Sequence, residues 1–422
     1  MKPLREGKVM HMRTEQTNWR VRGIDFWVTI AVMTIAVLMI AHGSEAHAQT
    51  YTVIHNFTGC ADGDFPTSTL IWDRAGNLYG STELGGVHCT YDNDGVVFQL
   101  KHNQAGWTLR PLQEFVFTDD NISYPLDYGG LTFGPDGNLY GTTKQGGPSN
   151  YGIVFRLQPP PRVCTSVLCL WSRTILYEFS GAPDGGYPES NVIFDGAGNL
   201  YGTTANGVAY ELTPAGGGWN EQVIPYNGGT SAGLVIDSAG NLYGVGVAGS
   251  HGHGGVFELS PSPSGWTETV LYNFTGGSDG TTPVGGLIFD RAGNLYGSTS
   301  HGGSGGGGTI FELSPSAGGW TLNTLCSFAG NAQNFGPQSP LTMDAAGNLY
   351  GTTMSDGHGA GTIFKATNSG GVWTCTDLYK FQFGPDGGFP IGGVTLDNDG
   401  NLYGTASEGG AYSAGVVWEI TP

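Results

Sequence analysis

Basic residues are scarce in this sequence: 16 Lys and Arg stand against 35 Asp and Glu, a formal net charge of −19 at pH 7. A surface that acidic repels phosphate backbones and anionic headgroups, so nucleic acid and anionic membranes are excluded as natural partners. Helical periodicity is missing as well. After residue 48 no stretch of ten or more residues repeats its apolar positions three and four apart between caps, so almost no helix is expected. Long hydrophobic runs are confined to Phe26 through Ala41, whose 16 residues fall short of the roughly 20 that span a bilayer. No Gly-x-Ser-x-Gly elbow opens a helix and no motif isolates one Ser or Cys, which leaves nucleophilic catalysis unsupported. Gly-rich stretches such as Gly302 to Gly308 also lack the following helix whose N-terminus would hold a phosphate.

Glycine is what the chain has in excess, at 74 of 422 residues. Disorder does not explain it, because 10 Trp, 19 Tyr and 20 Phe accompany it at regular intervals, too much apolar surface for an unfolded chain. The glycines mark turns. Gly-Asn-Leu-Tyr-Gly occurs seven times, starting at Gly76, Gly137, Gly198, Gly240, Gly293, Gly347 and Gly400. Spacings of 61, 61, 42, 53, 54 and 53 residues are those of propeller blades rather than solenoid coils.

The first 48 residues stand apart. Lys2, Arg5, Lys8, Arg13, Arg20 and Arg22 precede the apolar run, and Ala46-His47-Ala48 offers small residues for cleavage, the pattern of an export signal cut before Gln49. A retained membrane anchor is the alternative. Six basic and four acidic residues lie in this segment, so its removal takes the net charge from −19 to −21. The product is expected to be a soluble monomer that is secreted, periplasmic or on the cell surface, with residues 49–422 as one domain.

The unit is fullest around Gly293. Leu287-Ile288-Phe289 is a short apolar strand covered on both faces, ending at Asp290. Asp290 to Asn294 makes a hairpin in which Asp accepts backbone bonds and Gly293 takes positive φ. Leu295 to Thr299 is a second strand, Thr309 to Leu313 a third and Trp320 to Phe328 a fourth. Gly297 is expected to let a neighbouring sheet approach. Four short antiparallel strands cannot bury both faces alone, so the copies stack, and seven suit a closed ring. The last copy stops one strand short at Thr421, while Gln49 to Phe57 matches Trp266 to Phe274 in register. The fold expected is therefore an all-β, seven-bladed propeller closed by its N-terminal strand. Two copies are irregular: the second carries an insertion from Gln158 to Cys169, and the third has only Ala205-Asn206-Gly207 between its second and third strands.

Leu-Tyr-Gly-Thr-Thr followed by paired Gly and Gly-Thr-Ile/Val-Phe-Glu-Leu, as in Asn138 to Phe155, Asn294 to Leu313 and Asn348 to Phe364, resembles the GloVer tandem-repeat family of exported bacterial proteins. The resemblance covers Gln49 to Pro422. It implies a surface or secreted repeat protein, often held by a separate C-terminal anchor, and brings no catalytic residues. This sequence departs from that pattern by ending at Pro422, directly after its last strand.

Several residues merit a chemical reading. Cys164 with Cys169, and Cys60 with Cys89, are the disulfide candidates for an exported chain, the second closing a loop for roughly 3 to 4 kcal/mol. Cys326 and Cys375 fall in outer strands of neighbouring blades and are not counted among the candidate pairs. Asp-Gly-x-x-Pro recurs at Asp62, Asp184, Asp279 and Asp386. Each loop supplies one or two carboxylates, too few for a calcium cage, and reads as a turn. The Asp that ends the first strand, at 73, 195, 237, 290, 344 and 397, reads as structural. His88, His251, His253, His301 and His358 fall in loops between second and third strands on one face, and converging imidazoles could hold a divalent metal. Gly-rich loops that merely tolerate His are the plainer explanation, and no cofactor is expected. Trp107, Trp219, Trp266, Trp320 and Trp373 begin outer strands, where packing between blades accounts for their period and stacking on sugars is the rival. The function expected is binding of a glycan or envelope component through one Gly-rich face. The alternative is a metal-dependent lyase or lactonase at the channel mouth.

Overall fold

Each Gly-Asn-Leu-Tyr-Gly copy ends a hairpin and opens the second strand of a four-stranded antiparallel sheet, and seven such sheets form a β-propeller. The computed structural model describes residues 49–86, 95–115, 130–161, 170–224, 232–247, 249–330, 336–355 and 359–422, among which there is no α-helix. Blade 5 shows the plan: Ile288–Phe289, Leu295–His301, Gly306–Ser316 and Gly319–Ala329, from the axis outwards. The first strand is only two residues long in every blade. Thr281–Pro283 in blade 5 and Asp64–Pro66 in blade 1 add a short fifth strand beside the second.

The ring is closed as the sequence implies. Thr50–Asn56 pairs antiparallel with Val416–Thr421, with Val53 opposite Trp418 and His55 opposite Val417. Phe57 is fully buried against blade 1, in a cluster holding Leu70, Val96 and Phe98 of that blade with Tyr403 and Val417 of blade 7. Seven such clusters exist, one at each seam between neighbouring blades. Second-strand hydroxyls tie the seams near the axis. Thr142 donates to Ser190 O at 3.0 Å, Thr203 to Ala232 O at 2.9 Å and Thr405 to Ser68 O at 3.2 Å, each reaching the next blade round the ring.

The central glycine has a different cause from the one expected. Gly297 lies opposite Phe311 in the same sheet, and a Cβ there would come within 2.6 Å of Phe311 Cζ. The neighbour that requires glycine is thus a ring of its own blade lying over the Cα, not an approaching sheet. Every blade repeats the pair, with Phe98 over Gly80, Phe155 over Gly141, Tyr210 over Gly202, Phe257 over Gly244, Phe364 over Gly351 and Trp418 over Gly404. In six of the seven blades a Phe from the end of the preceding blade's outer strand packs against that ring, and in blade 4 Ile224 lies in the same cluster as Phe257. Phe57 meets Phe98, Phe115 meets Phe155, Phe179 meets Tyr210, Phe274 meets Phe311, Phe328 meets Phe364 and Phe381 meets Trp418, with centroids 4.9–6.5 Å apart. Such edge-on or tilted contacts add about 0.5–1.5 kcal/mol each beyond area burial.

A bulge aims these Phe residues. Six outer strands carry one extra residue opposite the third strand: Ile54, Leu112, Leu176, Leu271, Leu325 and Leu378. The extra residue is Leu or Ile each time and lies in a seam cluster, so the bulge turns an additional apolar side chain inwards. The third blade, the shortest, pairs without one.

Cys326 and Cys375, not counted among the candidate pairs, form a disulfide with Cα atoms 6.2 Å apart. It joins the outer strands of blades 5 and 6, which at this seam come close enough to be bridged. Cys60 is also disulfide-bonded, while Cys89, Cys164 and Cys169 lie outside the described residues.

Two substitutions test this packing in opposite directions. Gly297→Ala is expected to destabilise by about 1–3 kcal/mol through overpacking against Phe311, read as a lower melting temperature. Tyr210→Phe is expected to raise it, because the Tyr210 hydroxyl is buried with no hydrogen-bond partner among the described residues and the unmet group costs about 1–3 kcal/mol. An unchanged melting temperature for either variant would contradict the role given to that residue.

Candidate functional site

Most of the polar groups singled out in the sequence are consumed by the fold. Asp290 Oδ1 accepts from the backbone N–H groups of Ala292 and Asn294 at 2.8 and 2.9 Å. Its Oδ2 accepts from Asn294 Nδ2 at 2.8 Å and the Tyr296 hydroxyl at 3.3 Å. Asp73, Asp195, Asp237, Asp344 and Asp397 bond the same four partners in their own hairpins. Blade 2 has Gly134 at that place, and Asp136, two residues on, takes the Asn138 amide and the Tyr140 hydroxyl instead. Partial burial alone would raise the pKa of these carboxyls, but the donated hydrogen bonds outweigh it. Asp73, Asp136, Asp195, Asp237, Asp290 and Asp344 are all held below the usual carboxylate range.

The Asp-Gly-x-x-Pro loops are turns, as their chemistry implies. Asp279 accepts from Thr275 N at 2.8 Å, Thr275 Oγ1 at 2.6 Å and the Tyr272 hydroxyl at 3.0 Å. Asp184 and Asp386 do the same with Tyr177 and Tyr379, and in blade 1 His55 Nε2, 3.1 Å from Asp62, replaces the Tyr. The residue before each Pro takes positive φ: Phe65 at 55°, Tyr187 at 59°, Thr282 at 57° and Phe389 at 52°. That conformation is rare for bulky side chains. In three of the loops it lets the residue donate its N–H across the seam, Tyr187 to Tyr151 O, Thr282 to His253 O and Phe389 to Ala360 O.

Each described histidine on this face has a different hydroxyl beside it. His253 holds the place that Tyr151 holds two blades earlier. A Cβ on Gly276 would lie 2.5 Å from His253 Cε1, as one on Gly181 would lie 2.9 Å from the Tyr151 ring, so each side chain covers the glycine of the loop beside it. The His253 Nδ1 is 3.3 Å from Thr281 Oγ1. His251 is bonded to Ser250 Oγ at 3.1 Å, and His301 to Ser300 Oγ at 2.8 Å, with burial lowering the pKa of His301. His88 and His358 lie outside the described residues. Among the described residues no group of three or more His, Cys, Asp or Glu side chains comes together to hold an ion.

The tryptophan row packs the seams. Trp107 lies 5.9 Å from the Tyr403 ring, Trp171 6.0 Å from Tyr79, Trp266 5.9 Å from Tyr201, Trp320 6.4 Å from Tyr243 and Trp373 6.4 Å from Tyr296, always reaching the Tyr of the preceding blade's Leu-Tyr-Gly. One seam differs. Between blades 7 and 1, on the face that carries the Asp hairpins, a cleft of about 690 Å³ opens beside Trp72, His102, Trp107, Tyr403 and Glu419. Its volume lies within the roughly 300–1,000 Å³ of small-ligand sites.

Departures from the repeat gather in this cleft. Trp72 stands where other blades have Phe133, Phe194, Ile236, Phe289, Met343 and Leu396. Its indole N–H donates to Leu396 O at 3.0 Å across the seam, and its ring meets Tyr403 edge-on at 5.0 Å. His102, paired with Trp107 across the sheet, stands where Pro214, Pro261, Pro315 and Asn368 face their tryptophans. The Tyr403 hydroxyl lies between Asp397 Oδ2 at 3.1 Å and Glu419 Oε1 at 2.8 Å. Burial first, and then the bond to Glu419, raise its pKa, so it stays a neutral donor. Asp73, Asp397 and Asp399 face a single Arg74 around the rim. The cleft thus joins indole surface to oxygen acceptors.

A family model for the Gloeobacter/Verrucomicrobia repeat (Gleo_Verruco) matches residues 43–205 and 230–422. The chain belongs to this family. No curated protein matches the Gloeobacter/Verrucomicrobia repeat chain by sequence. Among solved structures it resembles a gluconolactonase from Xanthomonas campestris at 14% identity and TM-score 0.40, over 70% of this chain and 86% of that one. An auxiliary nutrient binding protein from Bacteroides ovatus gives 12% and 0.45, over 89% and 76%. An ulvan lyase bound to a GlcA(1-4)Rha3S unit gives 11% and 0.48, over 86% and 94%. Likenesses this distant carry no argument about this chain.

The hairpin carboxyls make stability depend on pH. They ionise at lower pH folded than unfolded, so they favour the fold at neutral pH, and that contribution is lost as pH falls through their folded-state range, below roughly 4. Asp290→Asn is expected to melt below the parent at pH 7, with the gap closing below about pH 4. A gap that persists unchanged at pH 3 would contradict this.

Proposed function

We propose that this repeat protein is an exported, non-enzymatic saccharide-binding propeller whose site is the cleft between blades 7 and 1, on the face opposite the Gly-rich loops. The observation that carries the reading is the joint departure of Trp72 and His102 from their repeat positions, in a cleft that already holds Trp107 and Tyr403. A sugar ring has apolar C–H faces and hydroxyls round its edge. Indole and phenol rings cover the first, and Glu419 with Asn398 and Asn401 meet the second. Export follows from the N-terminal basic and apolar pattern of the sequence.

Protein recovered from the medium or periplasm of producing cells is expected to begin at Gln49 and to bind members of a glycan panel with a change in tryptophan fluorescence. Trp107→Leu keeps the seam apolar and is expected to weaken that binding at least tenfold while the protein stays folded. Binding that is unaltered in this variant, or absent across the panel, would overturn the assignment, and an N-terminus that retains residues 1–48 would overturn export.

A further inference from the structure

Asp399 breaks the repeat in a way the fold does not use. It occupies the third position of its hairpin, where other blades have Ala75, Ala197, Ala239, Ala292 and Ala346. The one other carboxylate at this place, Asp136, caps its turn because blade 2 lacks the usual Asp. In blade 7 Asp397 already does that work, accepting from Asp399 N, Asn401 N, Asn401 Nδ2 and Tyr403. The Asp399 carboxylate is exposed and makes no side-chain hydrogen bond among the described residues.

Its location gives that surplus group a purpose. A second cleft of about 500 Å³ opens on the other side of the same hairpin, between blades 6 and 7, beside Met343, Asp344, Ala345 and Ala346. Leu396, Asp397, Asn398 and Asp399 line both clefts, so the hairpin is a low wall between two adjoining sites. The second cleft has its own origin in the sequence. Gln49 leads into the strand Thr50–Asn56 at the place where Trp107, Trp219, Trp266, Trp320 and Trp373 begin theirs, so this seam has no tryptophan from its outer strand to fill it.

Resting on the saccharide reading above, we propose that the ligand is an oligosaccharide that crosses this wall and occupies both clefts, with Asp399 as the residue that selects it. A carboxylate with unspent acceptor oxygens at the crossing point favours hydroxyl or ammonium groups. With Asp73, Asp344, Asp397 and Glu419 nearby and Arg74 the one basic residue along the two clefts, it rejects uronic acid and sulfate groups by like-charge repulsion. The ligand class is therefore a neutral or amino-sugar oligomer of at least two residues.

The decisive comparison uses the whole mature chain, with its disulfides intact. Isothermal titration covers hexasaccharides of glucose, mannose, xylose, N-acetylglucosamine and glucosamine, each with its monosaccharide, and a galacturonate hexamer. At least one uncharged or amino hexamer is expected to bind ten times or more tighter than its monosaccharide, with the galacturonate hexamer weakest. Asp399→Ala restores the residue of five sister hairpins and so spares the fold. It is expected to erase that length-dependent gain, bringing the hexamer down to the affinity of its monosaccharide, whereas Trp107→Leu weakens both. Equal affinity for monomer and hexamer, tight galacturonate binding, or an Asp399→Ala variant indistinguishable from the parent would overturn the proposal and leave saccharide binding standing. A failure of every sugar to bind would remove both.

Discussion

An aromatic ring lying over a glycine Cα is the contact on which every other part of this propeller depends. The ring is close enough that a methyl group in place of the glycine hydrogen would collide with it, so the ring itself fills the sheet face above that glycine. Because the same ring is packed from behind by a Phe of the previous blade, or by Ile224 in blade 4, an error inside one sheet becomes an error in the angle to the next. Small angular errors add up round a closed circle of seven. That is a physical reason for all seven copies to keep the glycine while the loops around it vary.

The same logic separates what could be read in the sequence from what could not. Gly-Asn-Leu-Tyr-Gly revealed the blade count, and the match between Gln49–Phe57 and the other outer strands revealed the closure. Both are repeated signals, and repetition exposes a pattern that one copy would hide. The bulge at Ile54, Leu112, Leu176, Leu271, Leu325 and Leu378 escaped, since one added residue in a strand leaves no gap in an apolar pattern. Its trace is a Leu or Ile at a constant three residues before the closing Phe. Gly297 was legible as a close contact but not as to its partner, because cross-strand register decides that and the loop between the strands varies in length. The Cys326–Cys375 bridge escaped because outer-edge separation depends on how far each blade fans out.

The cleft between blades 7 and 1 was the least legible feature. Trp72 and Leu396 touch there although 324 residues separate them along the chain, and only a ring that closes brings them together. The signal that could have found the site was present in another form. Aligned by hairpin, the seven copies differ at Trp72, His102 and Asp399, and the closed ring brings those three differences to one cleft. The positions that first drew notice were those the copies share, such as the hairpin Asp residues and the Asp-Gly-x-x-Pro loops, and these serve the scaffold. Among the histidines, His253 takes the place of Tyr151 as a flat side chain covering a glycine.

The pairing of Thr50–Asn56 with Val416–Thr421 sets the order in which the molecule can be completed. About 360 residues of chain must be made before the two strands can meet, and until then each exposes a row of unanswered backbone groups. Contacts of such long range form late and slowly. The ring therefore has a vulnerable interval, between the arrival of its first strand and of its last, in which another copy's free edge could be captured in place of its own.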